Sequence, residues 1–166
     1  MRRIRSTLVR DIDVRQVETV RPDATLAQCA QLMRDSHVGS LVVVDEDRGL
    51  LRPIGIVTDR DIVLEAVAQG LDPQSISAAE VMAPMLTTVR EDSDIVDALA
   101  HMREHGVRRI PVTRESGELA GIVAMDDVLA ALAEQLTRIV DVCAAERTRE
   151  TETRKPRVRS RATPRQ

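Results

Sequence analysis

The chain of 166 residues contains no phenylalanine, tyrosine or tryptophan. Any hydrophobic core must therefore be aliphatic, and a bound base would have to lie between valine, isoleucine, leucine and methionine side chains. The absence also argues against a platform for single-stranded nucleic acid, because such platforms stack bases on aromatic rings. We therefore do not expect nucleic acid to be the principal partner.

Cysteines and long apolar runs are also scarce. The two cysteines, Cys29 and Cys143, lack the spacing of a metal or redox motif, and Cys29 falls in a helical pattern that suits a core residue. The longest plain aliphatic run, Leu41–Val44, is far too short to span a bilayer. No apolar segment follows the basic residues 1–5, as it would in a secretory signal. We expect a soluble, cytoplasmic protein without membrane contact.

The stretch Gly55–Asp61, GIVTDRD, predicts the end of a strand followed by the start of a helix. Thr58 stands where an N-cap residue belongs, and Asp61 occupies the acidic position of a capping box. Such a turn directs backbone N–H groups and the positive end of a helix dipole toward an anion such as phosphate. The alternative is that Thr58 and Asp61 only cap the helix.

This stretch occurs a second time, as GIVAMDD at residues 121–127. Upstream of it, matching residues share an offset of 69, as between Val20 and Val89. The offset falls to 66, as between Gly55 and Gly121, because the first hairpin is three residues longer. The apolar strand faces of one short repeat need a partner, so the two repeats should form one structure.

Each repeat is predicted to run strand–helix–strand–strand–helix, which is an α/β unit. The turn at residues 21–25 is expected to contain the N-cap of the first helix, and Asp92 is the expected N-cap of its counterpart in the second repeat. Gly70 and Gly106 are the expected helix ends. The predicted divisions are a lead-in at 1–8, a first repeat at 9–70, a linker at 71–78, a second repeat at 79–135, a helix extension at 136–147 and a disordered basic tail at 148–166.

The last helix carries apolar residues three and four positions apart, a coiled-coil type of seam: Leu129, Leu132, Leu136, Ile139 and Cys143. This face either packs on its own domain or forms a subunit contact. Residues 147–166 hold eight Lys or Arg against two Glu, which predicts disorder. A basic tail of this kind can also associate with nucleic acid or acidic surfaces through counterion release.

The glycine-led repeat, the stretch GVRRIPV at 106–112 and the openings Val9–Ile12 and Ala79–Met82 together resemble the CBS-domain family. The resemblance is to a stand-alone tandem pair, or Bateman module, and it covers about residues 8–135. It implies two repeats packed about a pseudo-twofold axis, with two related clefts, and a regulatory homodimer. The implied ligand is an adenine nucleotide or adenosyl compound of the AMP, ADP, ATP or S-adenosylmethionine class, with no required cofactor.

The resemblance also implies roles for the residues of the repeated turn. The family's acidic residue contacts ribose hydroxyls and its Ser or Thr contacts ribose or phosphate, which implies these roles for Asp61 and Thr58. In the second cleft the acidic Asp127 remains, but Ala124 replaces the hydroxyl residue. We therefore expect one tight site per chain, in the cleft of the first repeat.

The remaining ligand contacts implied by the resemblance form a base pocket and a phosphate site. The implied base pocket consists of Val17, Thr19, Val38, Ser40 and Leu41. The implied phosphate partners are arginines, because a guanidinium matches phosphate geometry: Arg60, Arg108 and Arg109.

Two histidines four residues apart on a predicted helix, His101 and His105, could bring two imidazoles to one metal ion. The glutamate of a zinc-protease motif is not evident between them, nor is a third ligand, so no metal site is predicted. The sequence has no P-loop, nucleophile elbow or catalytic triad, so we expect no enzyme activity. The alternatives to ligand sensing are a ligand-free dimeric scaffold that binds an unidentified effector protein, and nucleic-acid association through the tail.

Overall fold

The computed structural model describes residues 7–12, 15–83 and 87–153. The chain divides into two compact units, Met1–Val128 and Leu129–Gln166. The first unit contains both three-stranded sheets and their helices, which confirms the predicted α/β class and the repeated order of elements.

The first repeat opens with a single 3-10 turn and continues through three strands and two helices. Its elements are the turn Val9–Asp11, β1 (Thr19–Val20), α1 (Leu26–Asp35), β2 (Ser40–Asp47), β3 (Leu50–Thr58) and α2 (Asp59–Ile62), which continues as a π-helical turn at Val63–Val67. Strand β2 lies at the centre of the sheet, parallel to β1 and antiparallel to β3.

The second repeat has the same order and the same strand pairing. Its elements are α3 (Ala78–Val81), β4 (Val89–Arg90), α4 (Ile95–His105), β5 (Arg109–Thr113), β6 (Leu119–Ala124) and α5 (Met125–Thr153). Strand β5 lies at the centre, parallel to β4 and antiparallel to β6.

Helix caps agree with the sequence in the first repeat and differ by two residues in the second. The Thr25 hydroxyl accepts the Gln28 N–H at 3.2 Å, as expected of a capping box. Helix α4 is capped by Asp94, whose carboxylate accepts the Val96 N–H at 2.9 Å, so the predicted cap at Asp92 is wrong. Asp92 instead pairs with Arg90 at 2.7 Å, since it lies two residues before the cap position.

The first hairpin is tighter than the sequence suggests. Strand β2 runs on to Asp47, so the turn consists of Arg48 and Gly49 rather than of all five residues 45–49, whose acidic and glycine content predicts a turn. Both turn residues have positive φ, 54° and 79°. Two such residues match the right-handed twist of the flanking strands. The strands pair from Ser40 to Asp47, with one shift of register between Val43 and Val44.

Each repeat has its own aliphatic core, and each core contains a residue from the segment that opens the other repeat. Val9, at the start of the first repeat, is fully buried in the core of the second. Ala78, its equivalent by the 69-residue offset, is fully buried in the core of the first. Cys29 also lies in the first core, as expected, and its burial raises the pKa of the thiol.

Backbone hydrogen bonds repeat this exchange. The Val9 N–H donates to the Ser93 carbonyl at 2.9 Å, and the Ala78 N–H donates to the Ala24 carbonyl at 2.7 Å. The two bonds occupy equivalent positions in the two repeats, because each acceptor lies just before the first helix of the opposite repeat. The reciprocal exchange has the pseudo-twofold character that the resemblance implied, and it makes each core depend on both repeats.

The glycine of the repeated turn has a structural role in this exchange. A Cβ atom at Gly55 would lie 2.9 Å from Met82 Cβ and Cγ and would clash with the Met82 sulfur. Met82 follows α3, in the segment that packs on the first repeat. Gly55 therefore allows that segment to lie directly on β3.

The second unit is described through Leu129–Thr153 of α5. Residues 148–153, which the sequence assigned to a disordered tail, are helical here, while 154–166 lie outside the described residues. Side chains of the predicted seam are exposed, with Leu136 at 64% and Ile139 at 61%. Both interpretations of the seam stay predictions. Within the described ranges, no helix combines the length and the hydropathy that crossing a membrane requires.

Candidate functional site

A cleft of about 310 Å³ lies where the two repeats meet. We call it the Asp127 cleft. It is lined by Gln16, Val17, Glu18, His37, Val38, Gly39 and Ser40 of the first repeat and by Arg109, Ile122, Ala124, Asp126 and Asp127 of the second. A shallow depression over the start of α1 has a larger volume, about 570 Å³, but its walls come from the first repeat alone.

Asp127 lies in the first turn of α5, directly after β6 ends at Ala124. Its Oδ2 accepts the Ala124 N–H at 2.8 Å. Because Ala124 has no hydroxyl, the carboxylate receives no second hydrogen bond from this cap. Asp127 is half-buried and keeps acceptor capacity directed at the cleft that it lines.

The equivalent turn of the first repeat uses its carboxylate differently. Asp61 Oδ2 accepts both the Thr58 N–H at 2.8 Å and the Thr58 hydroxyl at 2.7 Å. The Thr58 oxygen in turn accepts the Asp61 N–H at 3.2 Å. This is a complete capping box, and it matches the capping alternative for the two residues. The hydroxyl proton of Thr58 is already donated within the cap.

The structure brings together five residues of the predicted site, and all five line the Asp127 cleft: Val17, Val38, Ser40, Arg109 and Asp127. Thr58, Arg60 and Asp61 do not line this cleft. The base-pocket residues that the resemblance associated with Asp61 therefore lie beside the acidic residue of the other repeat. The reciprocal packing of the repeats explains this, since an alignment of motifs does not say which turn faces which strand.

Three further predicted residues lie elsewhere. Leu41 is fully buried in the first core, and Thr19 is paired with Val42 in the sheet. Arg108 is exposed and lies 3.6 Å from the Asp126 carboxylate. On the Thr58 side, the offset makes Leu86 the counterpart of Val17, and Leu86 lies outside the described residues.

Six lining residues were not singled out from the sequence: Gln16, Glu18, His37, Gly39, Ile122 and Asp126. His37 carried a signal, because it aligns with the helix-ending Gly106 and, like it, has a positive φ, 55°. The left-handed region is uncommon for a residue with a side chain, so the His37 side chain leaves the backbone in an uncommon direction.

The cleft combines apolar walls with an acidic rim. Val17, Val38 and Ile122 provide aliphatic surface of the kind expected around a base in a protein without Phe, Tyr or Trp. Among the described lining residues, the charged side chains are the carboxylates of Glu18, Asp126 and Asp127 and the guanidinium of Arg109. This imbalance favours a neutral or cationic ligand over one that carries several phosphates.

The model of the CBS domain matches residues 9–68 and 78–134 of the chain. An uncharacterized protein of Methanopyrus kandleri is 38% identical over 126 residues, which cover 76% of this chain and 63% of that protein. Hypoxic response protein 1 of Mycobacterium tuberculosis is 38% identical over 128 residues, covering 77% of this chain and 87% of that protein.

Solved structures agree on the architecture. The structure of Hypoxic Response Protein I, which has two coordinated zinc ions, gives a TM-score of 0.64 at 38% identity and covers 75% of this chain and 98% of that one. A CBS domain pair solved in complex with 5′-methylthioadenosine and S-adenosyl-L-methionine gives a TM-score of 0.68 at 24% identity and covers 79% of this chain and 99% of that one, a likeness of fold alone. The chain belongs to the CBS-domain family and contains a tandem pair of its repeats.

Proposed function

We propose that this CBS pair is a regulatory, non-catalytic module that binds an adenosine-containing small molecule in the Asp127 cleft. The observation that carries the proposal is the Asp127 carboxylate itself. It lies at the start of a helix and lines a cleft shared by both repeats. Because Ala124 has no hydroxyl, the carboxylate accepts no hydrogen bond from a capping hydroxyl.

In this proposal the Asp127 carboxylate accepts hydrogen bonds from the two hydroxyls of a ribose. The adenine lies between Val17, Val38 and Ile122, where it removes aliphatic surface from water. Ser40 lines the same wall and offers a hydroxyl to the base edge. Among the described residues that line the cleft, Arg109 carries the guanidinium that can pair with a single phosphate.

The size and charge of the cleft define the ligand class more narrowly. A volume of about 310 Å³ is at the lower end of the range, roughly 300–1,000 Å³, typical of small-molecule sites. The acidic rim disfavours the triphosphate of ATP and suits the sulfonium cation of S-adenosylmethionine. We expect S-adenosylmethionine and AMP to bind more tightly than ADP, and ADP more tightly than ATP.

A ligand in this cleft would contact both repeats at once. Because the walls come from different repeats, binding stabilises the arrangement in which they enclose the ligand and so shifts the population toward it. This is how a module without catalytic residues could transmit a signal, through its conformation or its assembly, to an effector protein. We propose a cytoplasmic homodimer as the acting form.

The absence of aromatic residues gives a direct test for a ligand that copurifies. The protein contributes almost no near-ultraviolet absorption, whereas adenine absorbs strongly there. We expect gently purified protein to show an adenine band, and mass spectrometry of the supernatant after heat denaturation to identify the compound.

Calorimetric titration of ligand-free protein completes this test with S-adenosylmethionine, AMP, ADP and ATP. A micromolar dissociation constant, about −8 kcal/mol, for the best of them would support the proposal. A flat spectrum together with no binding at millimolar concentrations would defeat it.

The exposed apolar face of α5 favours a second candidate function, a ligand-free interaction scaffold. Leu132, Leu136 and Ile139 are all exposed in the chain as described. If this seam joins two subunits, Leu136→Glu should shift the sedimentation mass toward the monomer. Ala130→Glu, on an exposed position outside the seam, should leave the mass unchanged. Equal masses for both variants would remove the seam as a subunit contact.

A further inference from the structure

We propose that His101, Glu104 and His105 of α4 form a binding site for a divalent transition metal ion of the Zn²⁺ type. One ring nitrogen of each histidine and one carboxylate oxygen of Glu104 lie within 4.8 Å of one another. Residues at positions i, i+3 and i+4 share one face of a helix, so the backbone already holds the three side chains together. Imidazole and carboxylate are common ligands of zinc, bound at about 2.0–2.2 Å.

The hydrogen bond made by His105 prepares its ring for this role. His105 Nδ1 lies 3.0 Å from the carbonyl oxygen of His101. Because a carbonyl only accepts, Nδ1 must carry the proton, and Nε2 is then left with a lone pair. A ligating histidine characteristically donates its other ring N–H to a carbonyl or carboxylate, which fixes both the tautomer and the ring orientation.

His101 carries an independent signal. Its Nδ1 is buried and has no hydrogen-bond partner among the described residues. The 69-residue offset aligns His101 with Leu32, which packs against the first core. A leucine would fill this position without burying an unpaired polar atom, so packing alone does not account for the imidazole. A role as a metal ligand gives the imidazole a reason to stand here that packing does not.

The position on the helix also favours a cation. Glu104 and His105 lie in the last turn of α4, where the negative end of the helix dipole stabilises positive charge. The Glu104 carboxylate neutralises one of the two charges of the ion. Three protein ligands leave a fourth tetrahedral position for water, since the site lies at the protein surface.

Helix α1 provides an internal comparison. Its residues at the equivalent positions are Leu32, Asp35 and Ser36, which include no imidazole. The proposed site is therefore specific to the second repeat. From sequence, the glutamate was missed because it precedes the second histidine, in the order H-x-x-E-H, whereas the more familiar zinc motif places it after the first.

The test is a titration of the full chain with Co²⁺, followed by competition with Zn²⁺ against a chromophoric indicator. We expect one ion per chain, with the visible bands of tetrahedral Co²⁺ bound to nitrogen and oxygen. His101→Leu, which copies the first repeat, should weaken binding at least tenfold while the metal-free melting temperature stays the same or rises. His105→Ala should weaken binding to a similar extent.

Two control variants make the result decisive. His37→Asn removes another exposed imidazole at a position with positive φ, which asparagine tolerates, and should leave metal affinity unchanged. Cys143→Ser removes the exposed thiol and should also bind normally. Unchanged affinity in His101→Leu or His105→Ala, or loss of binding in Cys143→Ser, would overturn the proposal.

Discussion

The two repeats share the same strand order, pairing and helix positions, yet they use the same acidic residue differently. In the first repeat, Thr58 and Asp61 form a closed capping box with three mutual hydrogen bonds. In the second, Asp127 receives one hydrogen bond from Ala124 and faces a cleft. A hydroxyl that improves the cap thus also takes up one of the acceptor sites that the carboxylate could offer to a ribose.

This comparison changes which motif appears better suited to a ligand. By sequence, the intact GIVTDRD turn is the stronger candidate, and one tight site beside Thr58 stays a prediction. By geometry, the turn without the hydroxyl leaves its carboxylate available, and the residues expected to surround a base lie beside it. Two copies of a motif in one chain need not perform the same function.

The largest expected effect concerns the close approach of Met82 to Gly55, which is described for the first repeat. In Gly55→Ala, the new Cβ would lie against Met82, and overpacking of this kind costs about 1–3 kcal/mol or more. We expect a large fall in melting temperature by far-ultraviolet circular dichroism. Adding Met82→Ala removes two of the three obstructing atoms and should restore part of the loss. Purely additive effects would show that the contact is not the cause.

The next effect tests the exchange of opening segments. Val9→Ala leaves a cavity in the core of the second repeat, at a cost of about 1–3 kcal/mol. Hydrogen exchange should therefore increase in β4–β6 more than in β1–β3, although Val9 opens the first repeat. Ala78→Gly should produce the opposite pattern. Increased exchange confined to β1–β3 in Val9→Ala would contradict the exchange of segments.

A smaller effect tests the two caps directly. Thr58→Ala should cost about 1 kcal/mol of stability, because it removes the hydroxyl that accepts the Asp61 N–H. Ala124→Thr should gain a similar amount by building the same cap, and should weaken ligand binding by engaging Asp127. Denaturant unfolding and calorimetry on both variants measure the two quantities. Tighter ligand binding in Ala124→Thr would mean that the hydroxyl serves the ligand.

The smallest effect concerns the opening segments at low pH. The Ser77 hydroxyl and N–H, at 2.6 and 2.7 Å from Glu80, hold the pKa of that carboxyl below its ordinary value. The folded state therefore binds fewer protons, so this stabilisation is present above the ordinary pKa and is lost as the pH falls through the lowered one. We expect the melting temperature of Ser77→Ala to fall less steeply with decreasing pH than that of the unaltered protein. If the melting temperatures of both proteins fell equally with pH, the Ser77–Glu80 hydrogen bonds would not contribute to acid sensitivity.

Much of the fold followed from the sequence because the signals were local. The cap in the turn before α1, the helix end at Gly106 and the repeated strand pattern each depend on neighbouring residues. The cap at Asp94 was missed because the loop offers several acidic residues, and only the backbone conformation distinguishes them.

The site was harder to predict because its walls come from different repeats. Val17, Val38 and Asp127 are brought together by the reciprocal packing of the repeats, which no local pattern records. The sequence supplied the residue types, and three-dimensional packing decided which of them meet.

The most direct test of the proposed site compares Asp127→Ala with Asp61→Ala by calorimetric titration of S-adenosylmethionine and AMP into the full chain. The two carboxylates are equivalent by the repeat, so each variant is the matched control for the other. We expect Asp127→Ala to weaken binding more than tenfold, about 1.4 kcal/mol or more, and Asp61→Ala to leave affinity unchanged while lowering stability slightly. Loss of binding in Asp61→Ala with unchanged affinity in Asp127→Ala would contradict the assignment to the Asp127 cleft.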